Sequence, residues 1–219
     1  MAAIESRRLT HLFTTPILQH DWEDAEELNS RLVQLILAEE AKGPGTSYSN
    51  VGGWHSTADF EKWSGTAGQA LIQRIGQQIN HATASLFRLY RGGQPILWRI
   101  TLWANVNRRG DYNRTHIHPG AAWSGVYYVD AGDSPPHGKP DSGLLVLHHP
   151  NIAAAAAFFG DVTPSVHPIR PRTGMSVVFP AHLAHEVRPY LGDRPRISIA
   201  FNAKIEPNPE PPARKAKRP

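Results

Sequence analysis

Apolar residues recur at helical spacing in the first part of the chain. Leu28, Leu32, Leu35 and Ile36 form one apolar stripe and predict a helix over about residues 23–42. A Gly-Pro-Gly sequence follows and should end this helix. The stripe indicates that one face of the helix packs against the rest of the protein.

A second stripe predicts a longer helix over about residues 66–90. Its inward positions are Leu71, Ile72, Ile75, Ile79, Ala82 and Leu86. Residues 43–63, between the two helices, have no regular period and are predicted to form a loop. A short opening strand is predicted over residues 9–18.

From residue 95 the period changes to that of β-strands, with Gly, Pro and Asp turns between short runs. The predicted strands are residues 96–107, 115–119, 123–130, 143–148, 166–170, 175–180, 184–189 and 195–203. Two helices followed by about eight short strands predict a mainly β fold. We expect a double-stranded β-helix, or jelly roll, with two long helices packed on its outer face.

The predicted elements fit one domain over residues 1–205, with a helical part over 1–94 and the jelly-roll core over 95–205. Residues 206–219 hold five prolines and are predicted to be a disordered tail. Residues 151–160 contain five consecutive alanines and are expected to form either a short helix or a mobile flap.

Composition limits the kinds of site that the chain can hold. It has no cysteine, which excludes disulfides, thiolate zinc sites and cysteine-ligated iron–sulfur clusters. A transition metal must therefore be held mainly by His, Asp or Glu. With no signal peptide and no apolar run of about 20 residues, we expect a cytoplasmic protein without a membrane span.

The formal net charge of +4 gives little reason to expect a nucleic-acid partner. Half of this excess lies in residues 206–219, and no basic patch is interleaved with aromatic residues. We expect a small-molecule or peptide substrate instead, and we leave a homodimer open.

Two histidines two residues apart form the strongest chemical motif. His116 and His118 would point to one face of a strand, with Cα atoms roughly 6.6 Å apart. His185 opens a later alternating run and is the preferred third ligand. Three imidazoles that leave adjacent positions open suit an iron centre that takes a bidentate cosubstrate and O₂. The alternative is that the first two histidines form a solvent-facing pair.

Other side chains compete for the third position. His182 lies in the turn before the preferred ligand, and His148 and His149 end another predicted strand. Asp111 offers a carboxylate, but five residues before His116 it should point to the opposite face of a continuous strand. The remaining histidines are expected to be structural or surface residues: His11, His20, His55, His81, His137 and His167.

A basic residue follows on another predicted strand. Arg196 and Ser198 share one face of this strand. An arginine carried inward is costly unless it meets an anion, and its planar fork suits a carboxylate. The structural alternative is a buried ion pair with Asp193 or Asp130.

These motifs resemble those of the prolyl 4-hydroxylase-like 2-oxoglutarate/Fe(II)-dependent oxygenases. Gly110-x₅-His116-x-His118 resembles the Gly-x₅-His-x-Asp of that superfamily. More closely, the chain resembles a bacterial and phage family of such oxygenases. The segments that carry this closer resemblance are residues 49–54, 116–120, 124–128 and 196–202.

The resemblance implies a jelly-roll core, Fe(II) as the metal and 2-oxoglutarate as the cosubstrate. It implies that Arg196 and Ser198 bind the distal carboxylate, and Asn113 stands where prolyl 4-hydroxylases often have a cosubstrate-binding Tyr. His118 departs from the pattern, because the wider superfamily has Asp or Glu there. Three neutral imidazoles add no negative charge to Fe²⁺, whereas a carboxylate would lower its net charge by one. Metal binding also needs a neutral ring, so it should weaken below about pH 6.5, the reference pKa of His.

Three hypotheses follow. The first is a 2-oxoglutarate-dependent hydroxylase that converts its cosubstrate to succinate and CO₂. The second is a three-His dioxygenase that needs no cosubstrate, in which Arg196 binds a substrate carboxylate. The third is a non-catalytic metal-binding or interaction module. The sequence leaves the substrate open, and the candidates for a pocket wall are equally suited to the core: Trp54, Trp103, Asn105, Trp123 and Tyr127.

Overall fold

A computed structural model describes residues 14–86, 96–151 and 165–207. Its helices are α1 (Glu26–Glu40), α2 (Phe60–Trp63) and α3 (Gly65–Leu86). Its strands are β1 (Leu18–Asp21), β2 (Asn50–Val51), β3 (Trp54–His55), β4 (Leu97–Asn107), β5 (Tyr112–His116), β6 (Trp123–Asp130), β7 (Leu145–His148), β8 (Val166–Ile169), β9 (Met175–Pro180), β10 (His185–Val187) and β11 (Arg196–Glu206).

The strands form two antiparallel sheets. The six-stranded sheet has the order β1-β9-β6-β11-β4-β3, and the five-stranded sheet has the order β2-β5-β10-β7-β8. Apolar residues of both sheets, including Tyr128, Val177 and Leu147, pack together in one buried cluster. The two sheets therefore pack face to face, and the predicted mainly β, jelly-roll fold class is confirmed.

The two long helices cover the other face of the six-stranded sheet. Leu32 and Ile36 of α1 and Ile79 of α3 are fully buried in a second apolar cluster with residues of β4, β6 and β11. A buried hydrogen bond from the Tyr127 hydroxyl to Asn29 Oδ1 (2.6 Å) joins α1 to β6. The helices therefore support the sheet from behind and leave its inner face to the five-stranded sheet.

Some predicted boundaries were wrong. The predicted strand 115–119 is β5, which ends at His116, and the opening strand begins only at Leu18 within the described residues. The predicted loop 43–63 contains β2, β3 and α2, because elements of two to four residues are too short to show a period.

The chain passes from one sheet to the other between β2 and β3. Gly52 and Gly53 both have a φ of 65°, which side chains other than glycine rarely adopt. A Cβ on Gly52 would lie 2.0 Å from Asp111 Oδ1, so the turn also needs the space. This crossing brings residues 49–51 alongside β5, and it places β3 against β4 in the other sheet.

Some predictions concern residues outside the described ranges. These are the alanine-rich stretch, the end of the second predicted helix and the tail from residue 208 onward. The division at residue 94 stays a prediction, although β1, β2 and β3 already belong to the two sheets. Among the helices that the structure describes, none is long and apolar enough to cross a membrane.

The packing of α3 predicts a large effect of truncating its buried face. Ile75 is 1% exposed, so replacing it with Ala removes packed methyl groups and leaves a cavity. We expect the free energy of unfolding to fall by about 2–5 kcal/mol, measured by urea denaturation. The exposed neighbour Gln73 is the control, and Gln73→Ala should change it by less than about 0.5 kcal/mol. Equal effects of the two variants would contradict the packing.

Candidate metal centre

A cavity of about 740 Å³ lies between the two sheets. Its lining comes from β5, β7 and β10 on one side and from β4, β6 and β11 on the other. None of the described lining residues is Asp or Glu, whereas Arg114 and Arg196 both reach it. The permanent side-chain charge of the cavity wall is therefore positive.

Three imidazoles converge in this cavity. His116, His118 and His185 each offer a ring nitrogen, and these atoms lie within 4.8 Å of one another. The ring centroids of His116 and His185 are 4.3 Å apart, and those of His118 and His185 are 5.1 Å apart. No Asp, Glu or further His of the described residues belongs to this group.

The three histidines reach the cluster by different routes. His116 of β5 and His185 of β10 are direct partners across two neighbouring strands. His118 lies beyond the end of β5, so the expectation that one strand carries both early histidines was wrong. Its backbone N–H donates to the Ala181 carbonyl (2.9 Å), next to the end of β9, and this holds the turn in place.

In two of the rings, the Nδ1 nitrogen contacts a backbone carbonyl oxygen. His116 Nδ1 lies 2.7 Å from the Arg114 carbonyl oxygen, and His185 Nδ1 lies 2.9 Å from that of Leu183. Because a carbonyl only accepts, each ring carries its proton on Nδ1 and keeps the lone pair of Nε2. Both rings are therefore in the tautomer that can bind a metal through Nε2.

Burial keeps these imidazoles neutral. It is the main cause that lowers the pKa of His118 to about 4 and that of His185 to about 3, and the electrostatic effect of His116 is the second cause of both values. Burial lowers the pKa of His116 as well. Neutral imidazole is the form that binds a metal. Protons should therefore begin to compete with a metal for these rings only at a pH below 6.5, the reference pKa of His.

The competing ligands lie elsewhere. His182 is exposed, and His148 Nε2 is 3.7 Å from a carboxylate oxygen of Glu186. Asp111 Oδ2 accepts the backbone N–H of Arg108 (2.7 Å), so this carboxylate stabilises a turn. None of these side chains lines the cavity.

Arg196 points into the same cavity and is 2% exposed. Its Nη1 donates to Asn107 Oδ1 (3.2 Å), and its guanidinium carbon lies 5.1 Å from the centre of the Tyr128 ring. Among the described residues, neither Arg196 Nε nor the Tyr128 hydroxyl has a hydrogen-bond partner. Burial lowers the pKa of this arginine, but a guanidinium remains charged in proteins.

The structural alternative for this arginine was an ion pair with one of two aspartates. Asp193 instead pairs with Arg109 (2.7 Å), and Asp130 pairs with Arg194 (3.4 Å). No ion pair to Arg196 occurs in the part of the chain that the structure describes. A buried cation without an acidic partner is rare and costly, which points to an anionic ligand.

Asn113 and Ser198 also line the cavity. An irregularity in β5 brings Asn113 there. Val187 pairs with Asn113 and His185 with His116, so three steps along β5 match two along β10. This extra residue puts Asn113 on the side of His116, which strict alternation would not.

Sequence reasoning missed three residues of this site. Ser49 Oγ lies 3.5 Å from His116 Nε2 and accepts from Asn113 Nδ2 (3.3 Å). His55, expected to be structural, lines the cavity and stacks on Trp103 with ring centroids 5.7 Å apart. Tyr128 was overlooked in favour of Tyr127. Ser49 begins one of the resemblance segments, which was the available signal.

Only some of the proposed wall residues are at the cavity. Trp103 and Asn105 line it. The other three are buried in the apolar cluster beneath the helices, which is the alternative of core packing: Trp54, Trp123 and Tyr127. Alternation along β6 explains the difference, since Tyr127 and its neighbour Tyr128 point to opposite faces.

Residues 101–202 match a family described as "Putative 2OG-Fe(II) oxygenase". The match runs from Thr101 in β4 to Asn202 in β11 and includes the three histidines and Arg196. The resemblance seen in the sequence is therefore confirmed, and the cofactors of this family are Fe(II) and 2-oxoglutarate. No curated protein matches the chain in sequence.

Solved structures share the fold at low sequence identity. A prolyl-4-hydroxylase of Pseudomonas putida has a TM-score of 0.62 and 19% identity, over 89% of this chain and 95% of that one. A prolyl hydroxylase of Trichoplax adhaerens, in complex with a hypoxia-inducible-factor peptide, has a TM-score of 0.56 and 17% identity, over 86% and 83%. HygX of Streptomyces hygroscopicus, with nickel and 2-oxoglutarate bound, has a TM-score of 0.56 and 12% identity, over 87% and 83%.

The lowered pKa of His185 predicts acid sensitivity of the metal-free protein. Its pKa is about 3 in the folded chain and about 6.5 when unfolded, so between these values the unfolded state binds more protons. Stability should be full above about pH 6.5 and fall towards pH 4, by up to about 1.4 kcal/mol per pH unit for this one residue. Urea denaturation in the presence of a chelator at about pH 7, 6 and 5 measures the slope.

A matched pair of variants isolates this contribution. His185→Gln should reduce the slope by up to about 1.4 kcal/mol per pH unit and leave the part due to His116 and His118. His182→Gln, at an exposed position, should leave the slope unchanged. A slope that is the same in the wild type and in His185→Gln would contradict the assignment.

Proposed function

We propose that this chain, an enzyme whose residues 101–202 belong to the 2OG-Fe(II) oxygenase family, is a hydroxylase that holds Fe(II) with His116, His118 and His185. The observation that carries this proposal is that the buried Arg196, which has no ion-pair partner among the described residues, shares one cavity with the three imidazoles. A dicarboxylate that reaches both the metal and the guanidinium would supply the anion that the cavity wall lacks.

The donor set fits an iron site. Three neutral nitrogen ligands suit Fe(II), and a three-ligand set leaves positions for a bidentate cosubstrate and O₂. When bound, Fe(II) and 2-oxoglutarate supply an O₂-dependent oxidation that converts the cosubstrate to succinate and CO₂. Phe179, whose ring centroid lies 4.7 Å from that of His185, keeps this side of the cluster apolar.

The residues of β11 and β6 are arranged to hold the far carboxylate of the cosubstrate. Arg196 Nε has an N–H without a partner among the described residues. Ser198 lies two residues further along β11, on the same face of the strand. The Tyr128 side chain lies beside Arg196, and burial is the main cause that raises the pKa of its hydroxyl, so it stays protonated and able to donate. Asn113 and Ser49 offer polar groups near His116.

The remaining wall suits a substrate. His55 and Trp103 form a stacked pair near His118, and the 75% exposed ring of Tyr48 lies beside His55. Burial lowers the pKa of His55, so this wall is uncharged at neutral pH. We infer a small-molecule or peptide substrate whose reactive carbon lies against this aromatic surface.

Removal of one imidazole should remove the metal. We expect His118→Ala and His185→Ala to lose at least about tenfold in Fe(II) or Ni(II) affinity, because two neighbouring imidazoles bind more weakly than three. Titration calorimetry under nitrogen and metal analysis of the purified protein provide the measurements. The control is His182→Ala, which replaces an exposed histidine three residues from the cluster and should bind as the wild type does. Unchanged metal content in His118→Ala would exclude this triad.

Arg196 should control cosubstrate affinity. We expect Arg196→Met to weaken 2-oxoglutarate binding by about 10- to 100-fold in Ni(II)-loaded protein, the size of a lost charged hydrogen bond. Arg196→Lys should fall between, since it keeps the charge but loses the fork. Arg99→Met, at an exposed ion pair with Glu206, is the control.

Turnover separates the competing hypotheses. With Fe(II) and O₂ the wild type should convert 2-oxoglutarate to succinate, even if slowly without a substrate. O₂ consumption that does not require 2-oxoglutarate would instead support a cosubstrate-free dioxygenase. If the metal-loaded protein neither binds 2-oxoglutarate nor consumes O₂, the enzyme proposed here is wrong.

A further inference from the structure

His118 differs from the other two histidines in what its outer nitrogen contacts. The Nδ1 atoms of His116 and His185 lie against backbone carbonyls, which can only accept. His118 Nδ1 lies 3.2 Å from the side-chain amide of Asn202, which has a donor end and an acceptor end. The proton of His118 is therefore not fixed by the backbone.

Asn202 lies on β11, directly opposite Ser124 on β6. Its Nδ2 points to His118 Nδ1, and the Ser124 hydroxyl donates to its Oδ1 (2.5 Å). With Nδ2 as donor, His118 Nδ1 must be an acceptor, so the proton of a neutral ring is on Nε2. That nitrogen then has no lone pair for a metal.

Rotation of the amide by a half turn reverses every role. Asn202 Oδ1 would accept from His118 Nδ1–H, and Nδ2 would donate to Ser124 Oγ, because a hydroxyl can both donate and accept. His118 Nε2 would then be free, as in the other two rings. One proton leaves Nε2 and one is taken up at Nδ1, so the ring stays neutral. The two arrangements contain equal numbers of hydrogen bonds within this group.

We propose that Asn202, supported by Ser124, is a positioning residue that selects the tautomer of His118, and that metal binding goes with the reversed amide. The proposal rests on the three-His metal site described above. A carboxylate at position 118 would need no such control, because it has no tautomers. The His at position 118 is thus accompanied by two hydrogen-bonded polar residues of the six-stranded sheet, Asn202 and Ser124.

The tautomer can be observed directly in the wild type. Protein labelled with ¹⁵N-histidine gives long-range ¹H–¹⁵N correlations that distinguish Nδ1–H from Nε2–H. We expect His118 to carry its proton on Nε2 in the metal-free protein and on Nδ1 after addition of Zn(II), a diamagnetic probe of the same ligands. A metal-free His118 already on Nδ1–H would overturn the switch, and so would a zinc-loaded ring with its proton still on Nε2.

Variants test the role of the amide. Asn202→Ala removes the acceptor and should weaken Zn(II) binding by about 10- to 100-fold, the usual effect of losing a group that orients a metal-bound histidine. Asn202→Asp can only accept, so it should hold His118 on Nδ1–H without metal and bind Zn(II) at least as tightly as the wild type. Ser124→Ala should cost about fivefold, the effect of one hydrogen bond.

The control is Asn80→Ala, because Asn80 is exposed on α3 and does not line the cavity. It should bind Zn(II) as the wild type does. Wild-type affinity in Asn202→Ala would overturn the positioning role and leave the three-His site standing. A wild type that binds no Zn(II) would overturn both. If Asn202→Ala does not fold, the wild-type tautomers and Ser124→Ala still decide the matter.

Discussion

A positive charge buried without a carboxylate beside it dominates the space between the two sheets. Arg196 is almost completely buried, and no acidic side chain of the described residues lines the cavity that it shares with the three histidines. Asp133 lines a second, smaller cavity that Arg196 also borders. The nearby acids are engaged elsewhere: Asp130 and Asp133 with Arg194, and Asp193 with Arg109. Burying a cation in this way costs several kcal/mol unless a ligand compensates. An anionic ligand in this cavity would compensate the charge of Arg196.

The two sheets contribute different chemistry to this cavity. The five-stranded sheet carries His116 and His185 on neighbouring strands, and the turn after β5 adds His118. The six-stranded sheet carries Arg196 and Asn202 on β11, backed by the helices on its outer face. The proposed metal ligands and the proposed anion site stay at a fixed separation, because the packed core between the sheets resists relative movement.

An imidazole in place of a carboxylate changes the centre in two ways. It leaves the full charge of a bound divalent metal, which favours a dianionic cosubstrate and makes the metal harder to oxidise. It also introduces a tautomer, which a carboxylate lacks. Burial solves part of the problem, since it keeps His118 neutral with a pKa of about 4. The position of the proton on the His118 ring is the other property to be controlled, and the side-chain amide of Asn202 is the group that contacts this ring at Nδ1.

The sequence by itself determined the fold class, the long helices and the residue types of the site. Periodicity decides these, since a helical stripe or an alternating strand is a local property. His116, His118, His185 and Arg196 could be singled out because an H-x-H pair and an inward arginine on a strand are unusual.

Only the tertiary structure decided how these residues meet. A register irregularity placed Asn113 beside His116, and a turn rather than a strand carried His118. Ser49, just before β2, and His55, in β3, line the cavity beside strands of only two residues. Asn202 contacts His118 across 84 positions of sequence. Such contacts depend on register, bulges and sheet packing, which arise between distant segments and leave no periodic trace in either segment alone.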